Sequence, residues 1–215
     1  MIVDERLVTY INSLDTGNTA MLDQIEREAT ADYVPIIRKE MQSFLKFLLA
    51  MKKPARILEV GTAVGFSAIL MAEYDPVPCQ ITTIENYEKR IPIARENFKR
   101  AGKEAQIALL EIPGDASEVL KVLSGPYDFI FMDAAKGQYI HFLPEILRLL
   151  AKDGVLVSDN VLQDGDVIES RFAVTRRNRT IHKRMREYLY TLTHSEELVT
   201  AVLPVGDGIT LSTRR

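Results

Sequence analysis

Cysteine and tryptophan are nearly missing from this chain: one Cys, at position 79, and no Trp in 215 residues. A single cysteine permits no internal disulfide, so the fold must rest on its own core, and a reducing, cytoplasmic setting is expected. Cys79 lies just before an apolar run with no second thiol to meet, and it reads as structural. Histidine is scarce too; His141, His182 and His194 are the three, and none is assigned as a ligand. No apolar run approaches the ~20 residues that a membrane span needs. The start, MIVDERLVTYINSL, carries acids early and no cationic flank before an apolar stretch, so it does not read as a secretory leader. There is no internal repeat and no low-complexity tract. A G-x-G-x-x-G dinucleotide fingerprint is also lacking, which argues against a dehydrogenase.

What is present is ordinary globular material, 47% hydrophobic and 27% charged, enough for one domain over residues 1–215. Residues 1–50 read as helices, with PIIRKEMQSFLKFLLAM (35–51) opening on a proline suited to a first helical turn. Residues 51–215 read as a core in which short apolar runs alternate with helical patterns. The runs are RILEV (56–60), QITTIE (80–85), QIALLEI (106–112), YDFIFMD (127–133) and GVLVSD (154–159). Between them lie FSAILMAEY, YEKRIPIARENFKRAG, ASEVLKVLSG and QYIHFLPEILRLLAKDG, several closed by glycine. This alternation predicts an α/β fold with a Rossmann-like, doubly wound and mostly parallel sheet. After residue 160 a basic helix (about 174–193) precedes two strands around Gly206-Asp207-Gly208, which predicts a C-terminal antiparallel hairpin.

Open parallel sheets bind ligands at the carboxyl ends of their strands. The first strand runs into EVGTAVGFS (59–67), whose Gly61 and Gly65 allow a tight turn beside a ligand; the acid there disfavours a phosphate. Glu85 ends the second strand, either as an acceptor for ribose hydroxyls or as a surface acid. Gly114-Asp115-Ala116 follows the third, either beside an adenine or as a helix N-cap. Asp133, Asp159 and Asn160 end the fourth and fifth. They are hard oxygen donors that suit Mg²⁺, with Mn²⁺ or Ca²⁺ as alternatives, and neighbouring strand ends are about 4.8 Å apart. Lys136, just beyond Asp133, is a candidate general base, or else a solvated surface lysine. Residues 171–186, RFAVTRRNRTIHKRMR, hold seven cations and no acid; without them the net charge would be −10 rather than −3. Such a patch suits an anionic partner, or is a solvated helix face.

Together, EVGTAVGFS, Glu85, GDA, MDAAKGQY, SDNV and PVGDGITLS resemble the cation-dependent class I O-methyltransferases, the catechol and caffeoyl-CoA enzymes and their bacterial relatives, in motif order over residues 35–215. The resemblance implies a seven-stranded class I methyltransferase fold, S-adenosylmethionine (SAM) as cofactor and Mg²⁺ as metal. Glu59, Gly61 and Ser67 would line the methionine end of SAM, Glu85 the ribose, Asp115 and Ala116 the adenine, and Met41 would close over the cofactor. Asp133, Asp159 and Asn160 would hold the metal, with Asp133 also near the SAM amino group, and Lys136 would deprotonate the acceptor hydroxyl. Ala63 departs from the glycine or aromatic residue common near that position. Within the family, DAAKGQY, DNVL, the basic run and PVGDG are most similar to bacterial tRNA 5-hydroxyuridine methyltransferases. Arg171, Arg176, Arg177, Arg179, Lys183, Arg184 and Arg186 would then grip an anticodon loop, with Phe172 stacking on a base. A small vicinal diol such as a catechol or caffeoyl ester is the alternative acceptor, and a non-catalytic RNA- or nucleotide-binding module the lesser one. The family also implies a homodimer, with residues 1–33 available to a partner subunit.

Overall fold

The computed structural model describes residues 3–111 and 116–215. Its strands are β1 (Arg56–Val60), β2 (Gln80–Glu85), β3 (Ile107–Glu111), β4 (Tyr127–Met132), β5 (Leu150–Ser158), β6 (Leu198–Leu203) and β7 (Ile209–Arg214). They belong to one sheet in the order β3-β2-β1-β4-β5-β7-β6. The pairs β1–β2, β2–β3 and β4–β5 are parallel, while β5–β7 and β6–β7 are antiparallel. This is the expected α/β sheet, seven-stranded and mostly parallel with a C-terminal antiparallel hairpin. Among the described residues no helix is long and apolar enough to cross a membrane. Two compact units divide the chain, residues 6–116 and residues 117–215 with the first five.

In the first unit the helices are α1 (Glu5–Ser13), α2 (Ala20–Ala31), α3 (Lys39–Lys52), α4 (Phe66–Tyr74) and α5 (Ile91–Arg100). Helix α4 is apolar all round, and Phe66 to Ala72 are all buried, as a helix inside a core must be. It starts where EVGTAVGFS turns. Gly65 sits there at φ +84, and a Cβ would lie 2.5 Å from the Phe98 ring, so both backbone and space demand glycine. Helix α3 begins at Lys39, not at Pro35 as the proline suggested. Arg38 is extended, and the buried Gln42 side chain donates to the Ile37 carbonyl at 2.9 Å, which ties the extended segment to the first turn of the helix. Helix α5 begins at Ile91 rather than near Tyr87, with Pro92 in its first turn.

The second unit contains α6 (Ala116–Val122), α7 (Tyr139–Leu149) and α8 (Arg179–Thr193). The helical pattern expected through Gly154 stops at Leu149. Leu150 is extended and pairs with Tyr127, starting β5 four residues early, and a register shift before Phe129 absorbs the extra residues. Helix α8 begins at Arg179, not near residue 174. Val174 turns inward and is buried, its carbonyl accepts from the Arg179 guanidinium at 3.4 Å, and the Asn178 amide bonds Thr175 instead.

Candidate active site

Met132 lies opposite Ser158 in the β4–β5 ladder, so the next residue of each strand, Asp133 and Asp159, leaves the sheet beside the other at its carboxyl edge. The Asp159 amide still donates to the Met132 carbonyl at 2.9 Å. The buried Tyr139 hydroxyl donates to the Met132 and Asp159 carbonyls at 3.2 and 3.0 Å, and burial holds it well above its ordinary range, so it stays a donor. Asp159 is only 2% exposed. Burial first, and then the negative charge of Asp133, push its carboxyl up to about 7, against the hydrogen bond from the Asn160 amide. Asn160 itself is left-handed at φ 57, a conformation that asparagine tolerates better than most residues.

Two crowded carboxylates, one of them buried, favour a positive charge between them, and a proton is only one way to supply it. Among the described residues there is no cluster of three or more His, Cys, Asp or Glu side chains fit for a metal. A cation here would therefore draw on Asp133 and Asp159 with the amide oxygen of Asn160 and water. That hard, all-oxygen donor set fits Mg²⁺, Mn²⁺ or Ca²⁺ and not a soft metal.

Lys136 opens a single 3₁₀ turn, residues 136–138, and is half-buried. Its Nζ donates to Asp207 Oδ2 at 3.2 Å. Asp207, read from sequence only as a turn residue of the hairpin, is 3% exposed and faces into the site. An acid held between two glycines was its one signal. Arg184, expected on the RNA surface, instead donates from Nη1 to the Gly137 carbonyl at 3.0 Å, beside Lys136.

Apart from Asp133, the residues expected around the cofactor lie in the other unit. Glu59 is fully buried and accepts from Ser67 Oγ at 2.5 Å and from Thr83 Oγ1, tying β1 to β2 and to the first turn of α4. Gly61 and Thr62 donate to the Ile84 carbonyl at 3.1 and 3.2 Å. Glu85 accepts the Ala63 amide on Oε2 at 2.7 Å and the Asn86 and Tyr87 amides on Oε1 at 2.9 and 2.8 Å. It thus clamps two turns, leaving about one of a carboxylate's four lone-pair sites for a ligand. Ala63 is left-handed at φ 47, which costs about 1–2 kcal/mol and is offset by its bond to Glu85. Met41 is wholly buried in α3. Ala116 opens α6 half-buried, and Asp115 lies outside the described residues.

Of the basic run, Arg171, Arg176, Arg177, Lys183 and Arg186 are exposed, the last while bonded to the chain's own backbone. Arg179 lies 6.0 Å from the Phe172 ring, which is 85% exposed, and Arg186 donates to the Val167 carbonyl at 3.0 Å.

Comparison with known proteins finds the O-methyltransferase family matching residues 12–215. A catechol O-methyltransferase of Niastella koreensis is 35% identical over 130 residues, 59% of this chain and 58% of that protein, so the chain spans under two thirds of that relative. Caffeoyl-CoA O-methyltransferase 2 of Populus trichocarpa is 32% identical over 182 residues, 80% of this chain and 71% of that protein. Among solved structures, the SAH-bound methyltransferase PaMTH1 of Podospora anserina superposes with a TM-score of 0.87 at 28% identity, covering 98% of this chain and 94% of that one. With a family match over nearly all of its length and this sheet beneath it, the chain belongs to the O-methyltransferase family and is an enzyme of that class.

Proposed function

We propose that this protein is a single-domain, cytoplasmic enzyme that moves a methyl group from SAM to a hydroxyl with a second oxygen beside it. The pairing of Asp133 and Asp159 at adjacent strand ends, with Lys136 three residues beyond Asp133, carries this reading. When bound, SAM supplies the methyl group and a divalent cation supplies a Lewis acid that acidifies and orients the two acceptor oxygens. Asp133, Asp159 and Asn160 would hold that cation. Lys136 Nζ takes the proton that leaves the acceptor hydroxyl as the oxygen gains the methyl. Glu85 orients the ribose through the lone pair its backbone bonds leave open, with Gly61 and Ala116 approaching the cofactor by backbone. Glu59, Ser67 and Met41 shape that side from beneath.

For the acceptor, we favour the 5-hydroxyuridine of a tRNA anticodon loop, converted to 5-methoxyuridine. Its 5-hydroxyl and 4-carbonyl present the vicinal oxygens, and exposed Arg171, Arg176, Arg177, Lys183 and Phe172 offer phosphate and base contacts. The catechol and caffeoyl-CoA enzymes among the relatives favour a second acceptor, a small vicinal diol. Methyl transfer measured in parallel on tRNA lacking the modification and on catechol separates them. Cation-dependent turnover of the tRNA is expected; turnover of catechol alone would move the acceptor to the second reading, and turnover unaffected by a chelator would remove the cation. Helix α1 buries none of its residues and exposes Leu7, Tyr10 and Ile11, which supports a homodimer, checked by light scattering.

A further inference from the structure

The hairpin turn at residues 206–208 reaches well beyond its own strands. Val161 and Leu162 donate their amides to the Gly208 and Asp207 carbonyls at 2.8 and 3.0 Å. Gly208 sits at φ +81 with Leu162 so close that a Cβ would lie 2.2 Å from its Cγ. The turn is thereby pressed onto the segment that follows the strand-end pair Asp159-Asn160. From this fixed place the Asp207 side chain works in two directions. Oδ1 accepts the Asp164 amide, and Oδ2 accepts Lys136 Nζ at 3.2 Å. The Asp207 side chain is 4% exposed and that of Lys136 is 34% exposed, so the carboxylate is buried while the amine keeps one side open. A buried carboxylate is costly unless paired and hydrogen-bonded, and here both oxygens are taken.

We propose that Asp207 is the positioning residue of Lys136, the third member of a triad of acceptor hydroxyl, amine and carboxylate in which the proton stops at the amine. The inference rests on Lys136 being the base. The amine serves as base once its resting proton has left to solvent through its open side; on taking the hydroxyl proton it becomes an ammonium again, and Asp207 Oδ2 faces the positive charge that forms. This is the part the aspartate plays for histidine in a Ser-His-Asp triad, orienting the base and stabilising its charged form without taking the proton. The Oδ1 bond to the Asp164 amide fixes the carboxylate plane, so Oδ2 has one direction in which to hold Nζ. Arg184 holds the 136–138 turn that carries Lys136 through the Gly137 carbonyl.

The test compares Asp207→Asn, Asp207→Glu and Lys136→Met in the full chain, assayed on hypomodified tRNA and on catechol. Asp207→Asn keeps an oxygen for Asp164 but removes the charge. It is expected to lower kcat on the order of ten- to a hundredfold, with KM for both substrates and the unfolding midpoint nearly unchanged. Asp207→Glu, which restores the charge, should recover part of the loss. A readout independent of turnover is acylation of Lys136 by an amine-specific reagent in cation-free protein, followed by mass spectrometry. Release from the carboxylate should make it several-fold faster in Asp207→Asn. The inference is overturned if Lys136→Met is inactive while Asp207→Asn turns over like the wild type. It is overturned also if Asp207→Asn loses activity only in step with its unfolding midpoint and Asp207→Glu does no better. Wild-type turnover by Lys136→Met would instead bring down the base assignment and this inference with it.

Discussion

Asp159 ends a buried strand, and its ordinary value of 3.8 is raised to about 7 by burial and by the charge of Asp133. A carboxyl raised in the folded state binds a proton there that the unfolded chain has already lost. Its contribution to stability is therefore full below the unfolded value and disappears as pH climbs through the folded one. In cation-free protein this group makes the unfolding midpoint fall as pH rises from about 4 to about 8. A divalent cation would supply the positive charge by another route, but only to ionised carboxylates. Added Mg²⁺ should accordingly raise the midpoint more at about pH 8 than at about pH 5, and Asp159→Asn should remove most of that difference. An equal Mg²⁺ shift at both pH values would mean that this pair does not hold the ion. That Asp133 and Asp159 would stand at neighbouring strand ends was legible in sequence, because an acid closing an apolar run is conspicuous and parallel strands set their ends side by side. Asp207 was not, because its partner Lys136 is 71 residues away and a G-D-G turn carries its own local explanation.

Helix α8 shows how an element can be recognised while part of what its side chains bond stays hidden. Its seven-cation neighbourhood read as one surface, yet Arg179, Arg184 and Arg186 bond the carbonyls of Val174, Gly137 and Val167. Backbone acceptors of this kind leave no mark in composition or spacing. The later start of α8 has the same origin, since burial of Val174 fixes a turn where the charge pattern alone allowed a helix. Arg184→Ala should therefore cost about 1–2 kcal/mol of stability through the lost charged hydrogen bond. It should also lower turnover on catechol as well as on tRNA, because the turn it releases carries Lys136. Arg176→Glu with Arg177→Glu should weaken only the tRNA reaction, since both residues are exposed. If Arg184→Ala leaves catechol turnover intact, its bond to Gly137 has no part in placing Lys136.

At the scale of the whole molecule, the sheet was readable because strand and helix periods alternate cleanly from residue 56 onward, and the hairpin because two glycines bracket its turn. Choice of acceptor is not encoded in that periodicity; it depends on how charge is spread over the surface. The chain is acidic overall, at −3, yet Arg171, Arg176, Arg177 and Lys183 stand exposed within sixteen residues that contain no acid. A polyanion would meet repulsion over most of the protein and attraction at this one stretch, so its binding must be local and strongly dependent on salt. If all four cations meet phosphates of a single-stranded loop, the logarithm of the association constant should fall with the logarithm of salt concentration at a slope of about −3. Replacing one of the four should flatten that slope by about 0.7. Catechol is uncharged near neutral pH and releases no counterions, so its KM should stay level across the same salt series. Titrations of tRNA and of catechol over one range of salt give both numbers. A flat response for tRNA would detach the basic stretch from acceptor binding and leave the small vicinal diol as the acceptor.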